Sequence, residues 1–159
     1  MSEKTYVLEG EEPPASQIGA SLEALAAAIA VRRDAGDESY THRLLTGDVD
    51  ALLKKVMEEA GEVALAAKDA ESAARTVAAH AGVEGVPPAY AESLRIRADA
   101  ACDHVRYEAA DVVYHLLVVL ERYGIGIGEL AGELNARMTE EERPCGGARI
   151  VADHVKRGK

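Results

Sequence analysis

Two short acidic motifs interrupt apolar, alanine-rich stretches of this 159-residue chain. One is Glu58–Glu62 and the other is Glu108–Asp111, and each contains acids spaced three residues apart. Residues three or four apart lie on the same face of an α-helix. If both motifs are helical, each therefore presents a pair of carboxylates on one face.

The setting of the motifs distinguishes them from ordinary surface acids. Glu59 follows Val56 by three residues and precedes Val63 by four, so it falls within an apolar stripe. Glu108 occupies the same kind of position between two valines of the second motif's helix. Solvated, salt-bridged acids remain the alternative for either motif alone. Two such motifs together favour a packing in which the acids converge.

Converging carboxylates repel one another and lose hydration, and buried acids respond by pairing or by a raised pKa. A divalent cation removes this conflict. Mg²⁺ prefers all-oxygen ligand sets, and Mn²⁺ accepts the same donors. The sequence therefore predicts a Mg²⁺ site, with Mn²⁺ as an alternative, whose ligands are Glu59, Glu62, Glu108 and Asp111.

Helical periodicity dominates the chain and predicts an all-α fold, a helical bundle of four to five helices. Capping residues and glycines indicate where the elements begin and end. The predicted elements are a helix from Ser21 to about Asp34–Asp37, a connector at Ser39–Gly47, a helix from Asp48 to at least Lys68, a loop at Gly82–Pro88, a helix from about Ala100 to Tyr123, and a helix from Ile127 to Met138.

The domain organisation follows from these elements. We expect a flexible N-terminal arm at 1–20, an all-α domain at 21–138 and a C-terminal tail at 139–159 with a solvated basic end. Between Val112 and Leu120 the chain is apolar on nearly every helical face, which predicts the most buried helix of the fold. The other helices of one short chain cannot cover it. The bundle is therefore expected to be completed by homodimerisation or a higher helical oligomer.

The amino-acid composition indicates which partners the protein can bind and where in the cell it is located. A net charge of −10 argues against nucleic acid as a partner, because phosphate neutralisation needs a basic surface. The N-terminal residues are acidic and polar, unlike a signal peptide, and no apolar run reaches membrane-spanning length. The sequence thus predicts a cytoplasmic protein without a nucleic-acid or membrane partner.

Residues near the acidic motifs are candidates for substrate contacts. Lys55 lies four residues before Glu59, so it either forms an ion pair or contacts a phosphate, as does its neighbour Lys54. Arg43 is a further candidate for a phosphate contact. Hydroxyl groups near the start of a helix are further candidates, and they belong to Ser39, Tyr40 and Thr41. They either bind phosphate or ribose, or they only cap the helix and pack against it.

Two other residues have less specific interpretations. His115 lies four residues after Asp111, where it is either a core histidine or a donor that orients this acid. Cys102 is expected to be a small buried hydrophobic residue.

Taken together, Glu58-Glu59-x-x-Glu62 and Glu108-x-x-Asp111 resemble the motif of the all-α NTP pyrophosphatase superfamily. The sequence around these motifs is similar to that of the phosphoribosyl-ATP pyrophosphatase family, whose members catalyse the second step of histidine biosynthesis. The resemblance covers about 22–69 and 104–137, and its segments are Ser39–Leu45, Leu53–Glu62, Ala66–Asp69 and Glu108–Leu117.

The resemblance implies hydrolysis of phosphoribosyl-ATP to phosphoribosyl-AMP and pyrophosphate. It also implies a homodimer or larger helical assembly with sites near the subunit contact. In the mechanism that we favour, Mg²⁺ polarises the phosphates and positions water. Glu58 and Glu59 are then the candidate catalytic residues, with Glu58 either binding a further ion or helping to activate water.

The chain departs from the family pattern in one respect. The gap between Glu62 and Glu108 is 45 residues, longer than is usual in the family, which predicts an insertion at about 73–99. Relatives with other gap lengths use other nucleotides, so a house-cleaning pyrophosphatase acting on dUTP or non-standard NTPs is one alternative. A non-catalytic helical oligomerisation module is another. A di-iron bundle is disfavoured, because it expects Glu-x-x-His motifs that this chain lacks.

Overall fold

The computed structural model describes residues 17–148, and this part of the chain contains five α-helices and no strand. The predicted all-α class is therefore confirmed. Within this range no helix is long and apolar enough to span a membrane. The helices are α1 (Gln17–Val31), α2 (Tyr40–Thr46), α3 (Val49–His80), α4 (Pro88–Arg122) and α5 (Ile127–Asn135), and a 3₁₀ turn covers Arg32–Asp34.

The described residues form two compact units. The hairpin unit consists of Gly47–Leu116, and the terminal unit consists of Gln17–Thr46 with the described residues from Leu117 onward. The hairpin unit thus contains α3 and most of α4, whereas the terminal unit contains α1, α2, the end of α4 and α5. Both acidic motifs belong to the hairpin unit.

The hairpin unit is a long antiparallel pair of helices. The carboxylate of Asp48 caps α3 by accepting a hydrogen bond from the Asp50 amide at 3.0 Å. At the other end of α3, the ring of His80 meets that of Tyr90 edge-on, with centroids 5.6 Å apart. A groove between these ends is lined by alanines of α3 and by Cys102 and Val105 of α4.

The turn of the hairpin lies in the loop predicted at Gly82–Pro88. Gly82 and Gly85 adopt φ values of +76° and +83°, a region that residues with a side chain rarely enter. Pro88 is the first residue of α4, where the missing amide hydrogen costs nothing. The residues of the predicted insertion therefore lengthen both helices and do not form a separate substructure.

The terminal unit corrects the connector predicted at Ser39–Gly47, because Tyr40–Thr46 is helical. Ser39 starts this helix by accepting a hydrogen bond from the His42 amide at 3.3 Å. Leu44 and Leu45 of this helix are buried. Two helical turns are too short for an apolar period to be visible in the sequence, which explains the error.

Two arginines tie the terminal unit together. Arg122 donates to the carbonyl oxygens of Leu44 and Leu45 at 2.9 and 3.2 Å, which satisfies acceptors at the end of α2. Arg33 donates to the carbonyl oxygen of Glu121 at 2.7 Å and pairs with its carboxylate at 3.0 Å. These bonds fix the end of α4 within its own unit.

The ends of the predicted domain differ in detail from the expectation. Helix α1 begins at Gln17 instead of Ser21, and α5 ends at Asn135 instead of Met138. The Asn135 side chain donates to the carbonyl oxygen of Ala148 at 2.8 Å, which holds the segment after α5. Residues 1–16 of the predicted arm and 149–159 of the predicted tail, with its basic end, lie outside the described residues.

Burial on α4 also departs from two expectations. Cys102 is exposed instead of buried, because among the described residues of the hairpin unit α4 has only α3 as a partner helix. In the stretch predicted to be most buried, Leu117 and Val118 are covered, whereas Val113 and Leu116 remain 39% and 41% exposed. Homodimerisation itself stays a prediction.

Candidate metal centre

The first acidic motif lies on α3 where the sequence pattern places it. Glu59 continues the stripe that contains the buried residues Leu52 and Ala66, and it is itself only 6% exposed. Its spacing from Leu52 and Ala66 is seven residues in each direction, which keeps all three on one helix face. A carboxylate in such a position loses hydration and needs compensating partners.

Three of the four predicted ligands come together in the hairpin unit. Carboxylate oxygens of Glu59, Glu62 and Glu108 lie within 4.8 Å of one another. Glu59 and Glu108 are buried, whereas Glu62 is exposed. Asp111 is not a member of this group, although it lies one helical turn beyond Glu108. The structure thus assembles a three-carboxylate cluster from Glu59, Glu62 and Glu108.

Two lysines lie against the first motif. The ammonium group of Lys55 is 3.0 Å from a Glu59 oxygen and 3.1 Å from a Glu58 oxygen. The ammonium group of Lys54 is 3.3 Å from the other Glu58 oxygen. The ion pair that the sequence offered as one interpretation of Lys55 is therefore formed. Glu58 faces its lysines and is not part of the three-carboxylate cluster.

These contacts separate the pKa values of the neighbouring acids. Hydrogen bonds from Lys55 lower the pKa of Glu59, and bonds from Lys55 and then Lys54 lower that of Glu58. The same bonds, first to Glu59 and then to Glu58, raise the pKa of Lys55. In contrast, the pKa of Glu62 is raised, first because it shares a hydrogen bond with Glu59 and then because of the charge of Glu59. Glu62 is thus the crowded member of the cluster.

Histidines contact the cluster on α4. The Nδ1 atom of His115 lies 2.9 Å from the carbonyl oxygen of Asp111 and 3.9 Å from a Glu59 oxygen, and the residue is buried. Its burial fits the core-histidine interpretation, and its contact with Asp111 is through the main-chain carbonyl oxygen of that residue. His104, which the sequence analysis did not single out, lies with Nε2 2.8 Å from a Glu108 oxygen. The available signal was its spacing, four residues before Glu108.

The remaining candidate substrate contacts belong to the terminal unit. Ser39 caps α2, and Thr41 is buried with its hydroxyl 3.4 Å from an Arg32 nitrogen. Tyr40 is 44% exposed, and Arg43 lies 6.0 Å from the centre of its ring. Arg43 also donates to the carbonyl oxygens at positions 37 and 38, at 2.6 and 3.3 Å. Ser39 and Thr41 therefore have structural partners, and part of the Tyr40 side chain is accessible to solvent.

The cluster has the chemistry of a cation site. It offers oxygen donors from two helices, and one of its members already binds the ammonium group of Lys55. Hard divalent cations select such all-oxygen sets and use phosphate oxygens to complete their coordination. The arrangement can therefore hold a divalent cation beside a polyphosphate.

Comparison with known proteins gives a consistent family. The sequence profile described as phosphoribosyl-ATP pyrophosphohydrolase matches residues 22–138. A phosphoribosyl-ATP pyrophosphatase from Paracidovorax citrulli is 34% identical over 128 residues, which cover 78% of this chain and 74% of that protein. No solved structure matches the chain significantly.

Two further relatives carry the same name. The protein from Pyrobaculum islandicum is 36% identical over 101 residues, covering 64% of this chain and 76% of the relative. The protein from Dechloromonas aromatica is 30% identical over 117 residues, covering 73% and 81%. The matched profile spans both acidic motifs and the segment between them.

Proposed function

The chain belongs to the phosphoribosyl-ATP pyrophosphohydrolase family, and we propose that it hydrolyses phosphoribosyl-ATP to phosphoribosyl-AMP and pyrophosphate, the second step of histidine biosynthesis. The observation that carries the proposal is the three-carboxylate cluster, which two helices of the hairpin unit build within the profile's range. A cytoplasmic location is part of the same proposal, because the reaction belongs to amino-acid biosynthesis.

Mg²⁺ is the proposed cofactor, with Mn²⁺ as the alternative. The donor set fits these ions, since carboxylates supply the hard oxygen ligands that both prefer. When bound, the cation would polarise the substrate phosphates and offset the charge that develops on them. Glu59, Glu62 and Glu108 are the proposed ligands in the cluster. Asp111 is the proposed fourth ligand, supported by its position one turn from Glu108 on α4.

Glu58 and Glu59 are the proposed catalytic residues. In the reaction, the oxygen of a water molecule bonds to phosphorus and the α–β anhydride bond breaks, which releases pyrophosphate. Because hydrogen bonds from Lys55 lower the pKa of both carboxyls, both are ionised at neutral pH. An ionised carboxylate accepts a hydrogen bond from water and orients its oxygen toward the phosphate.

The proposed substrate contacts are basic and hydroxyl groups. Lys54 and Lys55 carry positive charge next to the acids, which an acidic protein needs to hold a polyanion. One guanidinium nitrogen of Arg43 donates to loop carbonyl oxygens, and the group has further donors. The hydroxyl residues complete the proposed set; they are Ser39, Tyr40 and Thr41.

A substrate panel tests the proposal. Pyrophosphate release would be measured from phosphoribosyl-ATP, dUTP, dCTP and ITP with Mg²⁺ present, and we expect phosphoribosyl-ATP to give the highest kcat/KM. Preferential cleavage of dUTP or ITP would replace the proposal with the house-cleaning alternative. Release from no nucleotide by a folded protein would favour the non-catalytic helical module.

We also predict that the protein is at least a homodimer. In the hairpin unit, the only buried apolar side chains of substantial size are Leu52 and Leu94. Large apolar side chains on the same two helices are well exposed, including Met57 (73%), Leu65 (68%) and Ile96 (60%). Two isolated helices cannot cover these groups, so a second copy of the chain is the expected partner.

Light scattering coupled to gel filtration checks this expectation. We expect a mass of at least twice the chain mass of 16.9 kDa at micromolar concentration. Leu65→Glu should shift the protein toward the monomer, because it buries a charge in the interface, whereas the matched change Leu65→Met should not. A monomeric parent protein would refute the prediction.

The distal part of the hairpin should be dispensable for cation binding. Ala70 and Ala74 of α3 share a groove with Cys102 of α4, so the chain segments at 74 and 98 lie across from each other. Replacing residues 74–98 with a short glycine-containing turn therefore preserves the register of the acids. We expect Mn²⁺ affinity, measured by equilibrium dialysis, to stay at the parent value. Loss of affinity in a variant that remains helical would show that the distal segment supports the site.

A further inference from the structure

His104 makes a close polar contact with the second acidic motif. It lies on α4, one helical turn before Glu108, and its Nε2 atom is 2.8 Å from a Glu108 oxygen. The Glu108 side chain is only 9% exposed, whereas the His104 side chain is 57% exposed. The imidazole therefore lies on the solvent side of a nearly buried carboxylate, in close polar contact with one of its two oxygens.

The contact distinguishes His104 from the other described histidines of α3 and α4. His80 bonds to the carbonyl oxygen of Thr76 at 2.8 Å, and His115 bonds to that of Asp111 at 2.9 Å. These two contacts are with main-chain atoms of the preceding turn. His104 contacts a cluster carboxylate at 2.8 Å, closer than the 3.9 Å between His115 Nδ1 and a Glu59 oxygen.

We infer that His104 is a positioning residue, which holds the Glu108 carboxylate in the orientation that binds the cation. The inference rests on the proposed function, because it concerns the same cation site. His104 is not in the three-carboxylate cluster, so it acts through Glu108 and does not touch the cation. One Glu108 oxygen is in contact with the imidazole at 2.8 Å, and a carboxylate retains further acceptor sites for a cation.

The physical reason is the flexibility of glutamate. Fixing a long side chain costs rotamer entropy. An unrestrained Glu108 would lose this entropy when the cation binds, which would make binding less favourable. A polar contact that already restrains the carboxylate reduces this entropy cost of binding. Hydrogen bonds to ligating carboxylates are a general feature of metal sites, and losing one typically weakens metal affinity or activity by about 10- to 100-fold.

The test compares His104→Leu, which removes the hydrogen-bond donor, with His104→Gln, which keeps an N–H donor on a side chain of similar reach. The matched control is His80→Leu, because His80 lies on α3 about 27 Å along the helix from Glu62. The readouts on metal-stripped protein are the Mn²⁺ dissociation constant, from the free Mn²⁺ signal in electron paramagnetic resonance, and the melting temperature without metal.

We expect His104→Leu to raise the Mn²⁺ dissociation constant by about 10-fold or more. His104→Gln should recover most of this loss, and His80→Leu should bind like the parent. With saturating Mg²⁺, kcat of His104→Leu should approach the parent value, since the cation then fixes Glu108 itself. A purely structural role would lower the metal-free melting temperature without changing the dissociation constant.

The outcomes separate this inference from the function on which it rests. If the parent binds Mn²⁺ and His104→Leu binds it equally well, the positioning role is wrong and the proposed cation site stands. If the parent itself binds no Mn²⁺, both the site and the role of His104 are wrong. An equal loss of affinity in His104→Leu and His104→Gln, with no recovery, also overturns the inference, because it would not depend on the donor.

Discussion

Exhaustive removal of divalent cations should abolish pyrophosphate release and lower the melting temperature of the protein at the same time. Activity should be lost because the cation is needed to polarise the substrate phosphates. Stability should fall because Glu59, Glu62 and Glu108, whose oxygens lie within 4.8 Å of one another, repel without the cation. A cation at 100 times its dissociation constant stabilises the folded state by about 2.7 kcal/mol. For a chain of this size, that corresponds to a melting-temperature shift of roughly several degrees.

Chelation followed by readdition measures both effects on one sample. Activity and melting temperature should return together as Mg²⁺ is added, over the same range of concentration. Adding back Na⁺ at equal ionic strength is the control for general charge screening. Full activity after chelation would exclude the proposed metal-assisted hydrolysis. Recovery of stability without activity would place the cation site outside the reaction.

The change Glu62→Gln should separate activity from stability. It removes an anionic oxygen from the proposed site, so pyrophosphate release should fall by about 100-fold or more. The melting temperature without metal should hold or rise. The pKa of Glu62 is raised in the folded state, so its ionisation disfavours folding, and this loss of stability develops as the pH rises from the unfolded through the folded pKa. Glutamine does not ionise and avoids the loss at neutral pH.

Two companion variants sharpen the measurement. Asp111→Asn should follow Glu62→Gln, with lower metal affinity and pyrophosphate release, if Asp111 is the fourth ligand. Glu71→Gln is the matched control, because Glu71 is an exposed acid of α3 that pairs with Arg75 at 2.8 Å. Its activity should equal that of the parent. Parent-level turnover in Glu62→Gln would show that the site assignment is wrong.

Much of the hairpin unit was predictable from local pattern. The apolar stripe through Glu59 indicated a buried acid, and the helix, the N-cap at Asp48 and the glycine-containing loop all follow from residue types at known spacing. The convergence of Glu59, Glu62 and Glu108 required one further assumption, that the two stripes face each other. The structure meets that assumption for these three residues.

The errors arise where tertiary context decides. Tyr40–Thr46 is helical because Ser39 caps it and because Leu44 and Leu45 are buried in the terminal unit, and neither cause has a periodic signature over seven residues. Cys102 is exposed because burial depends on how many helices surround α4, which its own sequence does not encode. His104 was missed because an i,i+4 pair with a glutamate is common on helix surfaces.

The hairpin unit also constrains how this chain can change in length. Each residue turns an α-helix by about 100°, so deleting one residue from α3 beyond Glu62 would rotate the distal face away from α4. Deleting roughly seven residues, about two turns, from both helices would instead restore the facing sides. Homologous chains should therefore gain or lose hairpin residues in matched blocks on both sides of the Gly82–Pro88 loop. The spacing of the acids within each helix should stay the same.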